Sequence, residues 1–182
     1  MRSGKIVEDF EIDGERFIFR YPRFEDYLQF QKHFSRLIDE GAEIGLAKKY
    51  NREKEIELVA NILKMVENKQ ATYFVVESKG RLIGQAHIYK KTHTKSHIGE
   101  LGISLDKETR SKGIGTKLME AVIKEAKKNL KIELIELEGF SQNKAALGLY
   151  KKMGFQIVGT VKKGLKRNGK YFDGIMMVKY LR

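Results

Sequence analysis

The alternation of apolar and polar positions along the chain predicts strands and helices in mixed order. Period-two alternation beside turn residues predicts strands at residues 6–12, 16–20, 71–78, 81–89, 96–105 and 131–139, and a closing hairpin around Asn168 and Gly169. Three-to-four spacing of apolar residues predicts helices at residues 24–38, 51–68, 114–129 and 143–153. This order indicates an α+β fold in which helices cover a mixed sheet, and not a repeating Rossmann alternation or a β-sandwich.

Two of the helices have a clear predicted buried stripe. For the helix at 51–68 the stripe consists of Ile56, Val59, Ala60, Leu63 and Val66. For the helix at 114–129 it consists of Ile114, Leu118, Val122 and Ala126. In the strand at 96–105 the alternation falls on Leu101, Ile103 and Leu105.

Length and composition favour one folded domain. The chain has 182 residues, of which 41% are hydrophobic and 33% charged, and no linker or repeat interrupts it. We therefore predict a single domain over 1–182, with residues 1–15 as an amino-terminal extension. Because cysteine is absent, disulfides, thiolate metal sites and a cysteine nucleophile are excluded. Neither an apolar signal core nor a run long enough for a membrane span is found, which predicts a cytoplasmic protein with no membrane partner.

The charge balance has two interpretations. The formal net charge of +12 suggests a partner that carries phosphates or carboxylates. Enrichment in Lys and Glu with a single proline is also typical of a thermophile protein. Charge alone therefore does not predict a nucleic-acid partner, and no nucleic-acid-binding signature accompanies it.

A glycine-containing segment, RSKGIGTK, lies between a predicted strand and a predicted helix. Gly113 and Gly115 would let the backbone approach a phosphate, and the first amides of the helix would point at the same place. The same pattern also occurs in tight, close-packed turns without a ligand. The dinucleotide and nucleoside-triphosphate signatures are excluded, since Leu118 stands at the third glycine position and no G-x-x-x-x-G-K-[ST] order precedes it.

Two motifs together resemble the GNAT superfamily of N-acetyltransferases. The R-x-x-G-x-G signature is carried by Arg110, Gly113 and Gly115. One helix and one strand later, the pattern N-x-x-A-x-x-x-Y followed by G-F is carried by Asn143, Ala146, Tyr150, Gly154 and Phe155. The likeness is greatest to ribosomal-protein amino-terminal and small-amine acetyltransferases.

The resemblance implies the fold and the cofactor. The fold would be a mostly antiparallel sheet of about seven strands with about four helices and an extra amino-terminal hairpin, splayed between its fourth and fifth strands, here 96–105 and 131–139. Acetyl-CoA would enter the splay, with the pantetheine along residues 103–105 and the pyrophosphate on residues 110–116. The implied cofactor-binding residues are Ile103, Ser104, Leu105, Arg110, Ser111, Lys112, Gly113, Ile114, Gly115, Thr116, Asn143, Ala146 and Tyr150.

Three residues are candidates for catalysis. Tyr150 occupies the position that the resemblance places near the sulfur, where its phenol could protonate a thiolate. A tyrosine on a helix also commonly packs its ring against a sheet. Glu100 and Glu138 lie out of phase with their apolar neighbours and are alternative general bases, although each could be a solvated strand carboxylate. His97, near Glu100, is a further base candidate.

Other features leave alternatives open. His87, His93 and His97 lack the spacing of a metal site and are interpreted as surface or hairpin-end residues, so no metal is predicted. The final hairpin is basic, with Lys162, Lys163, Lys166, Arg167 and Lys170. It could attract an acidic acceptor or a cofactor phosphate, or it could be a solvated loop.

The predicted activity is transfer of an acetyl group to a primary amine of a peptide or protein amino terminus, an amino acid or another small amine. The acceptor site would be built by residues 24–50 and the final hairpin. A homodimer is possible. The alternative is a noncatalytic module that binds CoA or nucleic acid.

Overall fold

The computed structural model describes residues 2–46 and 48–181. Met1, Ala47 and Arg182, which belong to the predicted domain 1–182, are not described. The strands are β1 (Ile6–Ile12), β2 (Glu15–Arg20), β3 (Ala71–Ser78), β4 (Arg81–Lys90), β5 (Ile98–Leu105), β6 (Leu134–Phe140), β7 (Gln156–Arg167) and β8 (Lys170–Tyr180). The α-helices are α1 (Tyr27–Asp39), α2 (Arg52–Glu67), α3 (Ile114–Leu130) and α4 (Lys144–Lys152).

One eight-stranded sheet has the order β1-β2-β3-β4-β5-β6-β8-β7. All neighbouring strands are antiparallel except β5 and β6, which are parallel. The first hairpin continues the sheet, since β2 pairs with β3 and β1 forms an edge. The predicted α+β class, the mostly antiparallel sheet and its four α-helices are confirmed. The sheet has eight strands where about seven were predicted, and the additional strand is β1 of the amino-terminal hairpin.

The two parallel strands pair over a short distance only. Ile98 to Glu100 pair with Leu134 to Glu136, and the pairing then ends, although both strands continue. The rest of β5 and β6 diverges, which confirms the predicted splay. The main-chain groups of residues 101–105 that face β6 are therefore free of a strand partner at this edge.

Helices cover both faces of the sheet. Side chains that follow each other on a strand point to opposite faces, and on β3 they meet different elements. Tyr73 lies against Phe30 of α1 at a ring distance of 5.7 Å. Phe74 packs on Tyr21 at 5.0 Å, and the Tyr21 hydroxyl donates to Glu125 of α3 at 3.0 Å. Helices α1 and α3 thus lie on opposite faces, with the core between each of them and the sheet.

The buried stripe of α3 was predicted correctly, whereas that of α2 was partly wrong. All four predicted core positions of α3 are buried. In α2 the buried residues are Glu55, Val59, Ile62 and Val66, while Ala60 is exposed and Ile56 and Leu63 are half-buried. The packed face starts at a glutamate, and a stripe defined by apolar residues alone could not include that position.

Element ends also differ from expectation. Strand β6 begins at Leu134 and not at residue 131, because Lys131 adopts a left-handed conformation that ends α3. Strand β5 begins at Ile98 and not at residue 96, since a 3-10 turn over His93–Lys95 precedes it. Of the three apolar positions predicted on β5, Leu101 is buried, while Ile103 and Leu105 are half-buried. Ser104 is buried on the opposite face of the strand.

Candidate functional site

A turn with positive backbone angles precedes α3. Ser111 has φ of 64° and Gly113, the N-cap of α3, has φ of 78°. No side chain caps this helix, and in the described part of the chain no acceptor is found for the amides of residues 111–116. These unused donors lie at the positive end of a 17-residue helix, so the turn can accept an anion.

Gly115 allows close packing directly behind this turn. A Cβ at Gly115 would lie 3.3 Å from Leu149 of α4 and 3.5 Å from Leu105 of β5. The turn is therefore held against both the end of β5 and the side of α4, on the two sides of the splay.

A cleft of about 360 Å³ opens at this turn, and we call it the loop side. Its lining consists of Ala42, Glu43, Ile44, Ile103, Ser104, Leu105, Arg110, Ser111, Gly113, Gly115, Thr116, Asn143, Ala145, Ala146, Leu149 and Tyr150. The structure thus brings together most of the predicted cofactor-binding residues. Lys112 and Ile114 lie outside the lining: the Lys112 amine is 3.8 Å from Glu15, and the Ile114 side chain is fully buried.

Two polar side chains of the motifs hold the loop side in shape. Arg110 donates through Nε to the Leu105 carbonyl at 3.0 Å and forms an ion pair with Glu40, which ties the turn to β5 and α1. Asn143 accepts from the amide of Ala146 at 3.0 Å and caps α4. Both residues therefore have a structural role whether or not they touch a ligand.

Tyr150 of α4 lies against β6, beyond the last residue of β6 that pairs with β5. Its ring approaches β6, since a Cβ at Gly139 would be 3.4 Å from Cε2 of Tyr150. The residue is 8% exposed, and burial raises the pKa of its phenol to about 12. It lines both this cleft and the one beside it, so Tyr150 lies at their junction.

The adjoining cleft, of about 620 Å³, is called the sheet side. Its lining includes side chains of α1, of α2, of the segment between them, of β3 to β6 and of the last hairpin, among them Phe34, Ile44, Leu46, Tyr50, Leu58, Tyr73, Gln85, His87, Tyr89, Leu165 and Met176. The expectation that residues 24–50 and the final hairpin border this space agrees with these positions, except that Ala47 is outside the described residues. Arg167, at the tip of the hairpin, donates to the Gly41 carbonyl at 2.8 Å and so joins the two segments.

The charges on the sheet side are mostly negative. Its lining includes Glu43, Glu100, Glu136, Glu138 and one Lys, Lys91. The Lys91 amine is hydrogen-bonded to Glu136 and lies 3.4 Å from Glu100. Glu138 has no ion pair among residues 2–46 and 48–181, and its carboxylate lies over Gly174, where a Cβ would come within 2.1 Å of Oε1. Both predicted base candidates thus border the cleft, one paired and one unpaired.

The interpretation of His87 as a hairpin-end residue was wrong. It lies inside β4, with its ring stacked on Tyr73 at 5.1 Å and tilted against Tyr89 at 4.5 Å. Burial lowers the pKa of this imidazole to about 4. The ring is on the sheet side because β4 alternates: Tyr73 is its cross-strand partner on β3, and Tyr89 is the next residue on the same face of β4. His93 is exposed on a turn, and His97 is not part of either cleft lining.

A buried polar cluster that the sequence did not reveal reaches both clefts through Ser104. His33 of α1 bonds to Asp106 at 2.7 Å through Nδ1 and to Ser104 at 3.0 Å through Nε2. Desolvation lowers the pKa of His33, so the imidazole is neutral. Burial of Asp106 would raise the pKa of its carboxyl, but the hydrogen bonds that it accepts from His33 and Arg36 have the larger effect, so the pKa is lowered. The amphipathic pattern of α1 contained no signal that this histidine is a partner of β5.

Neither a metal nor a membrane is indicated by the described residues. Within 2–46 and 48–181 no group of three or more His, Asp or Glu side chains is arranged to hold a metal ion. Across the same residues, none of the helices combines the length and the apolar character needed to cross a bilayer.

The splayed sheet, the uncapped glycine turn and the tyrosine at their junction define an acyltransferase type of fold. The chain belongs to the Acetyltransferase (GNAT) family, whose model matches residues 24–155. This confirms the family resemblance that the two motifs predicted.

Three similar proteins illustrate how far the likeness extends. The L-amino acid N-acetyltransferase AaaT of Escherichia coli is 38% identical over 85 residues, which are 47% of this chain and 52% of that protein. The ribosomal-protein-S5-alanine acetyltransferase of Vibrio fischeri has a TM-score of 0.83 at 23% identity, over 96% of this chain and 97% of that one. RimJ of Mycobacterium smegmatis, solved with a CoA disulfide, has a TM-score of 0.79 at 15% identity, over 97% of this chain and 88% of that one. The structures share the fold, and the chain spans about half the length of the curated relatives it matches.

Proposed function

We propose that this protein is an acetyl-CoA-dependent N-acetyltransferase that acts on a primary amine. The observation that supports this most directly is the set of unused amides at the start of α3, beside a sheet edge that has no strand partner. Those two features fit the two parts of acetyl-CoA: a diphosphate suits the helix start, and an amide-bearing pantetheine suits the open edge of β5. When bound, acetyl-CoA would supply a thioester that an amine can attack.

The residues at the junction would assist that transfer. Tyr150 keeps its proton at any ordinary working pH because its pKa is raised to about 12, and its hydroxyl is available to a leaving sulfur. Glu138, which has no ion pair among the described residues, is the better placed of the two base candidates, since Glu100 is paired with Lys91. The amides of the α3 turn and Arg110, which holds that turn to β5, would keep the cofactor in register.

The charges of the sheet side limit the acceptor. Four carboxylates and one already paired lysine line it, so a cationic amine is attracted and can then lose a proton to react. A free amino acid would bring a carboxylate of its own, for which the described lining offers no unpaired Lys or Arg. We therefore propose an amine without a neighbouring carboxylate, such as the amino terminus of a peptide, as the preferred acceptor.

A matched pair of small acceptors tests both parts of the proposal. L-phenylalaninamide and L-phenylalanine differ in the carboxylate alone, and release of CoA thiol is followed with each, after acetyl-CoA binding has been measured by calorimetry. We expect binding of acetyl-CoA and faster turnover of the amide by about tenfold or more, as for one unpaired charge in a partly buried site. Failure to bind acetyl-CoA would refute the enzyme proposal, and equal rates for both acceptors would refute only the acceptor preference.

A further inference from the structure

A continuous hydrogen-bonded chain leads from the end of β5 to the sheet side of the cleft. It begins at Asp106, which accepts from His33 Nδ1 at 2.7 Å and from Arg36 Nε at 2.8 Å. Because Asp106 has a lowered pKa and is ionised, it can only accept, so the hydrogen of neutral His33 is on Nδ1. The other ring nitrogen, Nε2, must then be an acceptor.

The direction of the next bonds follows from this. The hydroxyl of Ser104 lies 3.0 Å from His33 Nε2 and donates its only hydrogen to it. Ser104 Oγ is then left to accept from the Gln85 amide nitrogen at 3.1 Å, which fixes the orientation of that amide. The Gln85 oxygen therefore faces Nδ1 of His87 at 2.9 Å and accepts from it.

His87 consequently exists as the tautomer with hydrogen on Nδ1 and a bare Nε2. This nitrogen lies against β5, since a Cβ at Gly102 would come within 2.6 Å of it. Gly102 is beyond Glu100, the last β5 residue that pairs with β6, so Nε2 is at the mouth of the splay. No hydrogen bond to this nitrogen is found among residues 2–46 and 48–181, and His87 lines the same cleft as Tyr150.

We propose that His87 Nε2 accepts a hydrogen bond from the acceptor amine and holds its nitrogen in line for attack at the splay. The inference rests on the proposed function and adds a residue that neither motif contains. Stacking between Tyr73 and Tyr89 fixes the plane of the ring, and the chain from Asp106 fixes which nitrogen is bare. The role is orientation and not proton removal, because burial lowers the pKa of His87 to about 4 and makes it a weak base at neutral pH.

Two substitutions separate the two nitrogens of His87. The amide of His87→Gln can place an acceptor oxygen near the position of Nε2, whereas His87→Asn can keep a donor to Gln85 but has nothing at the Nε2 position. With acetyl-CoA and L-phenylalaninamide we expect His87→Asn to lower kcat/KM for the amide by about 10–100-fold, the range of one lost hydrogen bond to a charged or reacting group. His87→Gln should retain activity within about fivefold, and KM for acetyl-CoA should stay within about twofold in both variants.

A second measurement does not depend on turnover. Long-range proton–nitrogen NMR correlations of the imidazoles report which nitrogen carries the hydrogen, and we expect the Nδ1–H form for His87 in the wild type. In Ser104→Ala the chain is broken, so a mixture of both forms is expected. A wild-type His87 with hydrogen on Nε2 would overturn the inference.

The kinetic outcomes distinguish this inference from the proposed function. Equal activity of the Gln and Asn variants in an enzyme that acetylates L-phenylalaninamide would refute the role of Nε2 and leave the N-acetyltransferase proposal intact. A parallel rise of KM for acetyl-CoA in both variants would indicate a purely structural role and would also refute it. If the wild type does not bind acetyl-CoA, both proposals fail together.

Discussion

The loop side and the sheet side of the cleft meet at Tyr150, but they are built from different parts of the chain. The loop side depends on main-chain amides of one continuous turn and on glycines that allow its shape. The sheet side depends on side chains from several strands and helices, and on their charges. The proposed function therefore assigns the diphosphate and extended arm of the cofactor to the loop side, and the selection among acceptors to the sheet side.

The two sides also differ in how their polar groups are satisfied. Around the loop side, Asp106, His33 and Ser104 form a fully paired buried set. Next to the sheet side, Glu55 of α2 is buried with neither carboxylate oxygen hydrogen-bonded among the described residues. The paired set stabilises the loop side in one geometry, whereas the unpaired carboxylate destabilises the fold beside the sheet side.

The largest effect is expected at the junction. Tyr150→Phe removes the one phenol that, among the described residues, borders both clefts, and we expect kcat to fall by about 10²–10⁴-fold, the usual range for a general acid, with the Kd for acetyl-CoA nearly unchanged. Since its pKa is about 12, the wild-type profile should show no loss of activity from this phenol below about pH 11. Steady-state kinetics and calorimetry measure both quantities. Tyr171→Phe, at a position 57% exposed, is the control. An active Tyr150→Phe would assign protonation of the sulfur to water or to the acceptor.

The loop side should be the more sensitive to backbone changes. Gly113→Val imposes a side chain on a left-handed residue in the turn to which we assign the cofactor diphosphate, and we expect the Kd for acetyl-CoA to rise by about 10–100-fold. Gly80→Val is a matched control, because Gly80 also has positive φ, at 70°, and an equally open Cβ position, but lies in the β3–β4 turn. Calorimetry should show normal affinity in the control. Similar losses in both variants would mean that strain, and not the turn itself, weakens binding.

The same contrast explains what could be predicted from the sequence. The turn at Gly113 was predictable because its donors and glycines are adjacent in the chain, so a short motif contains the geometry. The buried stripe of α3 was predictable from its period. The splay itself followed from the family resemblance, since no local pattern shows where two strands stop pairing.

The sheet side was predictable only in part. Glu100 and Glu138 were found because strand alternation shows which side chains leave the core. His33 and Glu55 were missed, and His87 was wrongly placed at a hairpin end, because their burial depends on tertiary contacts: His33 meets Ser104 and Asp106, and His87 stacks on Tyr73 of the neighbouring strand. A histidine or glutamate on an amphipathic helix or strand is usually solvent-exposed, and only tertiary packing reverses that expectation.

A smaller effect should distinguish the two carboxylates of the sheet side that are base candidates. Glu138→Gln removes an unpaired charge at the mouth of the splay, and we expect kcat/KM for L-phenylalaninamide to fall by about tenfold. Glu100→Gln should cost about threefold or less, because Glu100 is already paired with Lys91 at 3.4 Å. Steady-state kinetics on both variants give the ratio. The reverse order would identify Glu100 as the base and Lys91 as its modulator.

The smallest effect is expected on stability. Burial raises the pKa of Glu55 to about 7, well above its value in the unfolded chain, so the folded state is progressively destabilised as pH rises from about 4.5 through 7. Glu55→Gln removes that charge. We expect it to increase the free energy of unfolding by about 1–3 kcal/mol at pH 8 and to change it little at pH 4, as measured by urea titration. Glu57→Gln, at an exposed position of the same helix, should change it little at both pH values. If Glu55→Gln destabilises the protein at pH 8, Glu55 has a charged partner, and the sheet side is as fully paired as the loop side.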